Sequence, residues 1–545
     1  MEMTKKMKMA AVGAAAVAVV GGGVFAYTRL AGGDPKETVI QAFENVYTEG
    51  QTDPMEELFG LSEFAKAGVS ASQNSGLMLK LDSCSEPAVN TYAGSGLRID
   101  AKNDVENNKV SANMGIIYNG MDLVNLDLYY GDDTVMAAVP ELSPKVFTLD
   151  FGEGLEERLK NSPMLGSALE QSGVDASVMA EYMELLAEQA RQTQEGQAAS
   201  FDLKALMKRY REGCKAEDDF KAALTVEKGE KASFTIDGKE QACRGYEVTV
   251  SKEAMINFLR TSSDFFLQDE VLKKDFLKRL ELSVKLSQLA GAQMEGQDFP
   301  TAQEMQEQTY EEARTEIDGM IAFLDSSLND VSMTVYVDKE GCLASVKGTT
   351  SFNSTGSEVE PVQLQFGCEL KGGAYPTQNM SAQAVLENGA ASVQIEAVKE
   401  GAYDGKELTS GFELSIENQG EIAEKWDITL DSSYNSEGGG FDVQAAAAQD
   451  GMELLGFSAQ GVVDELEKGK NIHLTLDSLD VSAMGDTGNA VLSGEYYIRP
   501  LTEEVVPLEG DTMDVLAAGE EEWNSVLMEV LFSFISLSGQ MDTGN

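Results

Sequence analysis

Between residues 331 and 500, apolar and polar side chains alternate with a period of two, and turn residues separate one alternating segment from the next. Val362, Leu364, Phe366, Cys368 and Leu370 form one such series. Phe412, Leu414 and Ile416 form another, followed by Trp426, Ile428 and Leu430 and then by Ile472, Leu474 and Leu476. Strict alternation puts one face of a strand in a core and the other in water, which an antiparallel sheet allows. The same period governs Leu77, Leu79 and Leu81, and Tyr118-Asn119-Gly120-Met121 supplies a hairpin signal inside a meander expected to reach Phe151. Strands are expected again from about Lys221 to Val250, and Asp132-Asp133 reads as a turn between strands. Ala445 to Ala448 fits either a closely packed strand or a short helix.

Helical spacing fills the intervals. Asp34 is an expected N-cap with Pro35 at the first helical position, and Val39, Ala42, Phe43 and Val46 follow on one face. Asp175 is expected to cap a helix carrying Val178, Tyr182, Leu185 and Leu186, with a polar connection from Arg191 to Ala199. Ser251 opens a block rich in aromatic residues, among them Phe258, Phe265, Phe266 and Phe276. These four side chains are read either as core packing against a sheet or as the lining of a cavity for an apolar ligand. Thr301-Ala302-Gln303-Glu304 matches a capping box before Ala313, Ile317, Met320, Ile321 and Leu324. Trp523, Val526, Leu527, Val530, Leu531 and Phe534 mark a terminal amphipathic helix.

The chemistry is constrained by what is scarce. The chain has 41 Lys+Arg against 92 Asp+Glu, a formal net charge of −51, and no basic stripe to track a phosphate backbone, so no nucleic-acid partner is expected. Its one histidine, His473, lies on the polar side of an alternating strand and cannot alone build a histidine metal site. No phosphate-binding glycine loop, calcium loop or nucleophile elbow occurs. The expectation is a protein without catalytic residues, metal or cofactor. Five cysteines lack C-x-x-C spacing; Cys214 with Cys243, and Cys342 with Cys368, are candidate disulfides that would leave Cys84 free.

Residues Met9 to Tyr27 run without a charge, preceded by Lys5, Lys6 and Lys8 and followed by acidic sequence. The run suits a single membrane crossing with the large C-terminal part outside, by the positive-inside rule. Val24-Phe25-Ala26 would equally suit signal cleavage and secretion, so both anchor and cleaved signal stay open. Three regions follow: 1–33, the lysine-rich tip and apolar segment; 34–330, a helical stalk and first β-meander with helical insertions; 331–545, a second antiparallel region ending in a helix.

The order of apolar segment, N-terminal helix, hairpins with Val135-Met136-Ala137-Ala138-Val139-Pro140, and Gly245-Tyr246-Glu247-Val248-Thr249-Val250-Ser251 leading into an amphipathic helix, resembles uncharacterised anchored bacterial envelope proteins. Their architecture is similar to the LolA/LppX lipoprotein carriers, a likeness covering residues 75–330. The resemblance implies an α+β fold: a curved, half-barrel-like antiparallel sheet with helices on its concave face and a cavity for acyl chains. A non-enzymatic envelope protein binding a lipid or other apolar ligand is the leading expectation. The alternative is an interaction ectodomain with a filled core, contacting cell-wall polymer or protein through its acidic surface.

Overall fold

The computed structural model describes residues 34–47, 53–152, 154–172, 176–194, 203–289, 300–353, 361–389, 391–420, 423–483 and 488–543. The apolar run Met9 to Tyr27, the cap expected at Asp175 and most of the connection before Ala199 lie outside them.

The fold is α+β, built on one mostly antiparallel open sheet of 20 strands. The N-terminal half supplies β1 (Gln73–Cys84), β2 (Gly96–Asp104), β3 (Lys109–Tyr118), β4 (Met121–Gly131), β5 (Thr134–Ala138), β6 (Lys145–Asp150), β7 (Thr225–Ile236) and β8 (Lys239–Val250). The C-terminal half supplies β9 (Val331–Val337), β10 (Leu343–Phe352), β11 (Val362–Leu370), β12 (Met380–Glu387), β13 (Ser392–Tyr403), β14 (Glu407–Gln419) and β15 (Ala423–Asn435). It continues with β16 (Gly440–Gln449), β17 (Met452–Glu467), β18 (Asn471–Ala483), β19 (Gly488–Pro500) and β20 (Asp511–Asp514).

Following the hydrogen bonds, β7 through β19 form one uninterrupted meander. β19 then pairs with β1, and β1 to β6 continue the sheet to its parallel last strand, β20. Strands on either side of residue 330 share this sheet through β8 and β9, with Val250 opposite Val331. The boundary expected there falls inside one core. Ala445 to Ala448 belong to β16, while Lys221 is helical and the strand expected there starts at Thr225. Asn119-Gly120 and Asp132-Asp133 take the paired positive φ values of tight hairpin turns, 50° and 76°, 50° and 56°.

The helices are α1 (Pro35–Tyr47), α2 (Pro54–Phe59), α3 (Leu61–Ser70), α4 (Pro87–Asn90), α5 (Leu155–Lys160), α6 (Leu165–Ser172) and α7 (Ala176–Gln194). After them come α8 (Leu203–Gly213), α9 (Ala216–Ala223), α10 (Lys252–Gln268), α11 (Glu270–Leu289), α12 (Ala302–Ser327) and α13 (Glu520–Thr543). Their starts follow the expected chemistry. The Asp34 carboxylate accepts from the Lys36 N–H at 3.1 Å, the Ser251 hydroxyl accepts from the Ala254 N–H, and Thr301 with Glu304 closes a capping box.

The main core lies where α1, α9, α10 and α12 cover β8 to β12. Val39, Phe43, Phe220, Met255, Ile321 and Leu324 pack there on Tyr246, Val248, Val331, Val335 and Leu364. At the other end of the strand order, Leu155, Leu159 and Ala180 of α5 and α7 pack beside Leu149 of β6. Trp523 and Val526 of α13 pack on Phe147 of β6 and Met513 of β20. Leu324 is almost fully enclosed. Truncating it removes its burial and leaves a cavity, so Leu324→Ala should lower the unfolding free energy by about 3 kcal/mol in a denaturant titration.

Candidate functional site

Register assigns every strand residue to one of two faces. On one face, Ile395 stands beside Ile416 and Trp426, and Lys399 beside Phe412 and Leu430. Ala445 and Phe457 extend the latter row to Val481. Leu474 and Tyr496 carry the same face to Leu77, which lies opposite Ile99, Met114 and Leu126 in turn. Leu149 and Phe147, under the helices of one end, and Val335 and Val346, under those of the other, belong to this face too. The sheet therefore has a continuous apolar face from β8 to β6, and among the described residues helices cover its two ends.

Those two sets of helices meet. α7, mounted beside β6, packs against α11 of the opposite end, and the Lys285 ammonium pairs with the Glu181 carboxylate. From β9 to β6 there are sixteen strand spacings, roughly 77 Å across a flat sheet at about 4.8 Å each. A sheet bent towards these helices, with its apolar face inside, would account for their contact. Bulges at Leu81/Ser83, Gln460/Gly461 and Leu476/Leu479 sit where such bending is easiest. At Gly461 and Gly494 a Cβ would collide with the carbonyl oxygens of Thr475 and Met78, so neighbouring strands approach there as only glycine permits.

The middle of the apolar face, from β13 to β4, is left uncovered by the described residues. Leu455 is 55% exposed, Ile116 52%, Leu430 42% and Phe457 40%. Ile428, Leu77, Leu97 and Met114 are exposed on the same face. Soluble proteins rarely leave so many large apolar side chains contiguous and open to solvent.

The two rims of this trough differ. At the first, α2 and α3 lie across the strand ends. Asp53 caps α2 by accepting from the Met55 N–H at 2.8 Å, and Gly60, at φ 67°, turns the chain into α3. The Phe59 ring stands 4.8 Å from Tyr434 at the end of β15. The Phe59 carbonyl accepts from the Gly469 N–H at 3.1 Å in the β17–β18 turn. The Tyr375 hydroxyl, between β11 and β12, donates to Glu57, and that carboxylate pushes the phenol up to about 12. At the second rim three of the described connections carry exposed apolar side chains: Tyr92, Met121 and Met452.

The four aromatic residues singled out in the sequence lie in joints between helices, Phe258 also against the main core. Phe258 meets Phe220 at 5.5 Å between ring centroids and packs against the main core. Phe265 and Phe266 enclose the Tyr210 ring at 5.5 and 5.0 Å, and Phe276 meets Tyr310 at 5.9 Å. The structure gives these rings side-chain partners, and the uncovered apolar surface belongs to the strands. Local alternation marked Leu77, Ile428 and Leu430 as strand positions, but nothing local distinguishes a face roofed by a helix from one left bare.

The joint around Tyr210 is fixed by polar groups. Its hydroxyl lies 2.8 Å from that of Ser262, and Arg209 grips Asp269 through two hydrogen bonds of 2.9 Å. The Arg209 guanidinium, helped by the Leu272 N–H, holds the Asp269 carboxyl below its usual range. A carboxyl more acidic in the fold than in the open chain stabilises above the ordinary aspartate range, and that contribution is lost as pH falls through its folded value. Asp269→Asn should therefore be destabilised relative to the parent at neutral pH, and the gap should narrow in acid denaturation.

On the outer face, His473 lies 3.7 Å from Asp464 and 3.5 Å from Glu495, with Tyr497 beside it. The Tyr497 hydroxyl donates to Asp100 at 2.7 Å, and burial with that carboxylate pushes the phenol up to about 12. No group of metal-ligating side chains occurs among the described residues. Thr334, Lys347, Gln365, Gln383 and Val385 line a depression on this outer face.

All five cysteines are free thiols, which corrects both expected bridges. Cys214 ends near α10, with its thiol 3.8 Å from the Thr261 carbonyl, whereas Cys243 is sealed in β8 beside Ile236 and Ala344. Cys342 lies in the β9–β10 turn, and Cys368 sits across from Val346 on the apolar face. Burial pushes the Cys243 thiol up to about 11, away from reactivity. Denatured protein alkylated without reductant should gain five adducts by mass spectrometry.

Among the described residues no helix is long and apolar enough to cross a membrane, which says nothing of strands that might. Comparison with protein-family models, curated proteins and solved structures finds no match for this chain.

Proposed function

We propose that this chain is a non-enzymatic envelope protein that holds an acyl lipid against the bare apolar face of its bent sheet, a half-barrel with its ends bridged by helices. The observation that carries this reading is the uncovered row of Leu430, Phe457, Leu77 and Met114 on a face that is otherwise roofed at both ends. Water against such a face is costly. An acyl chain laid there gains about 0.8 kcal/mol per buried methylene, before the cost of ordering it.

The resemblance to lipoprotein carriers points the same way. It joins a curved antiparallel sheet to an acyl ligand, and here the apolar strands take the place first considered for Phe258, Phe265, Phe266 and Phe276. Placement outside the cytoplasmic membrane, by way of the apolar segment Met9 to Tyr27, belongs to the same reading.

Native mass spectrometry with lipid extraction on residues 34–545, exported to an oxidising compartment, tests it. Stoichiometric acyl lipid is expected to co-purify. Leu430→Asp with Phe457→Asp should abolish retention, and because both side chains are already exposed the unfolding midpoint should move little. A well-folded parent that arrives empty and takes up no added lipid would sink the proposal and leave the interaction ectodomain.

A further inference from the structure

The two ends of the trough are not equivalent, and the chain's own start lies at one of them. α1 runs along the sheet: near its beginning the Lys36 ammonium donates to the Ala222 carbonyl at 2.7 Å, just ahead of Thr225, the first residue of β7. Near its end Asn45 donates to the Gly341 carbonyl at 2.9 Å in the β9–β10 turn. That turn is on the rim crossed by α2 and α3, because β10 and β11 run antiparallel and Leu370, just before Tyr375, ends β11 there. Thr225 is opposite Thr249, and Thr249 opposite Ser332, at the other rim. The described chain therefore starts at the open rim. Only six residues, 28–33, separate it from the apolar run ending at Tyr27, a reach of at most about 25 Å.

The open rim also has its own chemistry. Met121 is 69% and Met452 62% exposed at hairpin tips, with Tyr92 and Val89 exposed in the β1–β2 connection. Exposed carboxylates are spaced along the same rim, Glu387 at the end of β12, Asp450 and Glu453 at the β16–β17 turn and Glu86 after β1. Apolar tips favour contact with a bilayer's hydrocarbon edge, while each of these carboxylates repels anionic head groups within a screening length of about 8 Å at physiological ionic strength.

We infer that an acyl lipid passes between bilayer and trough through this open rim, which faces the membrane, with its chains reaching towards α2 and a zwitterionic head group remaining at the rim. The inference rests on the lipid-binding reading above. It adds the direction of entry, the membrane-facing end and the class of head group.

The full chain, reconstituted in phosphatidylcholine vesicles carrying a phosphatidylcholine with a photoreactive chain terminus, tests both levels separately. Cross-links are expected on the trough strands, including those bearing Leu430 and Phe457, and lipid transfer to acceptor vesicles is read alongside. Met121→Glu with Met452→Glu should slow transfer at least tenfold without changing the lipid carried per protein. Replacing phosphatidylcholine by phosphatidylglycerol should slow transfer of the parent several-fold. Cross-linking and transfer that are both absent in the parent would overturn the lipid reading itself. Cross-links on the trough combined with parent-like transfer in the double variant would leave lipid binding standing and overturn entry by this rim. Equal or faster transfer from phosphatidylglycerol would overturn the head-group assignment.

Discussion

The pairing of β1 with β19 is the contact on which the rest of the architecture depends. It joins residues 73–84 to residues 490–500 in an antiparallel ladder, and without it the chain would hold two smaller sheets. The register at this seam is as consequential as the pairing. Leu77 falls opposite Tyr496 and Leu81 opposite Leu492, so the apolar face of the C-terminal strands passes to the N-terminal strands without a break. A slip of one residue would turn Met78, Lys80 and Asp82 onto that face.

Among the described residues helices cover the two ends of this wide sheet, and the covers meet, with Glu181 and Lys285 at their meeting point. That pair is partly open to solvent, so its own contribution is small. Its importance is geometric, because it marks where the helical layers of the two sheet ends come into contact. α2 and α3 lie across one rim, where Phe59 and Glu57 tie them to strand ends far apart in sequence.

Much of this was legible residue by residue. The alternation of Phe412, Leu414 and Ile416, the Asn119-Gly120 turn and the Thr301 capping box each rest on interactions within a few residues, and each appears where local chemistry places it. What could not be read locally is which apolar stripe finds a partner. Phe265 and Phe266 sit at a spacing that suits a cavity wall or a helix joint equally, and only the arrival of Tyr210 from α8 decides between them. Leu430 and Leu364 alternate alike in the sequence, yet Leu364 lies under helices and Leu430 does not. The cysteines show the same limit: permissive chemistry does not bring Cys214 to Cys243 when one ends a helix and the other is sealed in a strand.

The two edges of the sheet are protected in a way that its apolar face is not. β7, an outermost strand, carries Glu227, Lys228, Glu230 and Lys231 around a bulge between Lys228 and Lys231. Charges and a bulge on an edge strand oppose the addition of another chain. At the opposite edge β20 offers four residues, too short a ladder to template a strand. A net charge of −51 adds long-range repulsion between copies. These devices act on edges and on like charges; the apolar face itself carries no such protection, and on the lipid-binding proposal an acyl chain, having no backbone groups to pair, would need only the side chains of that face.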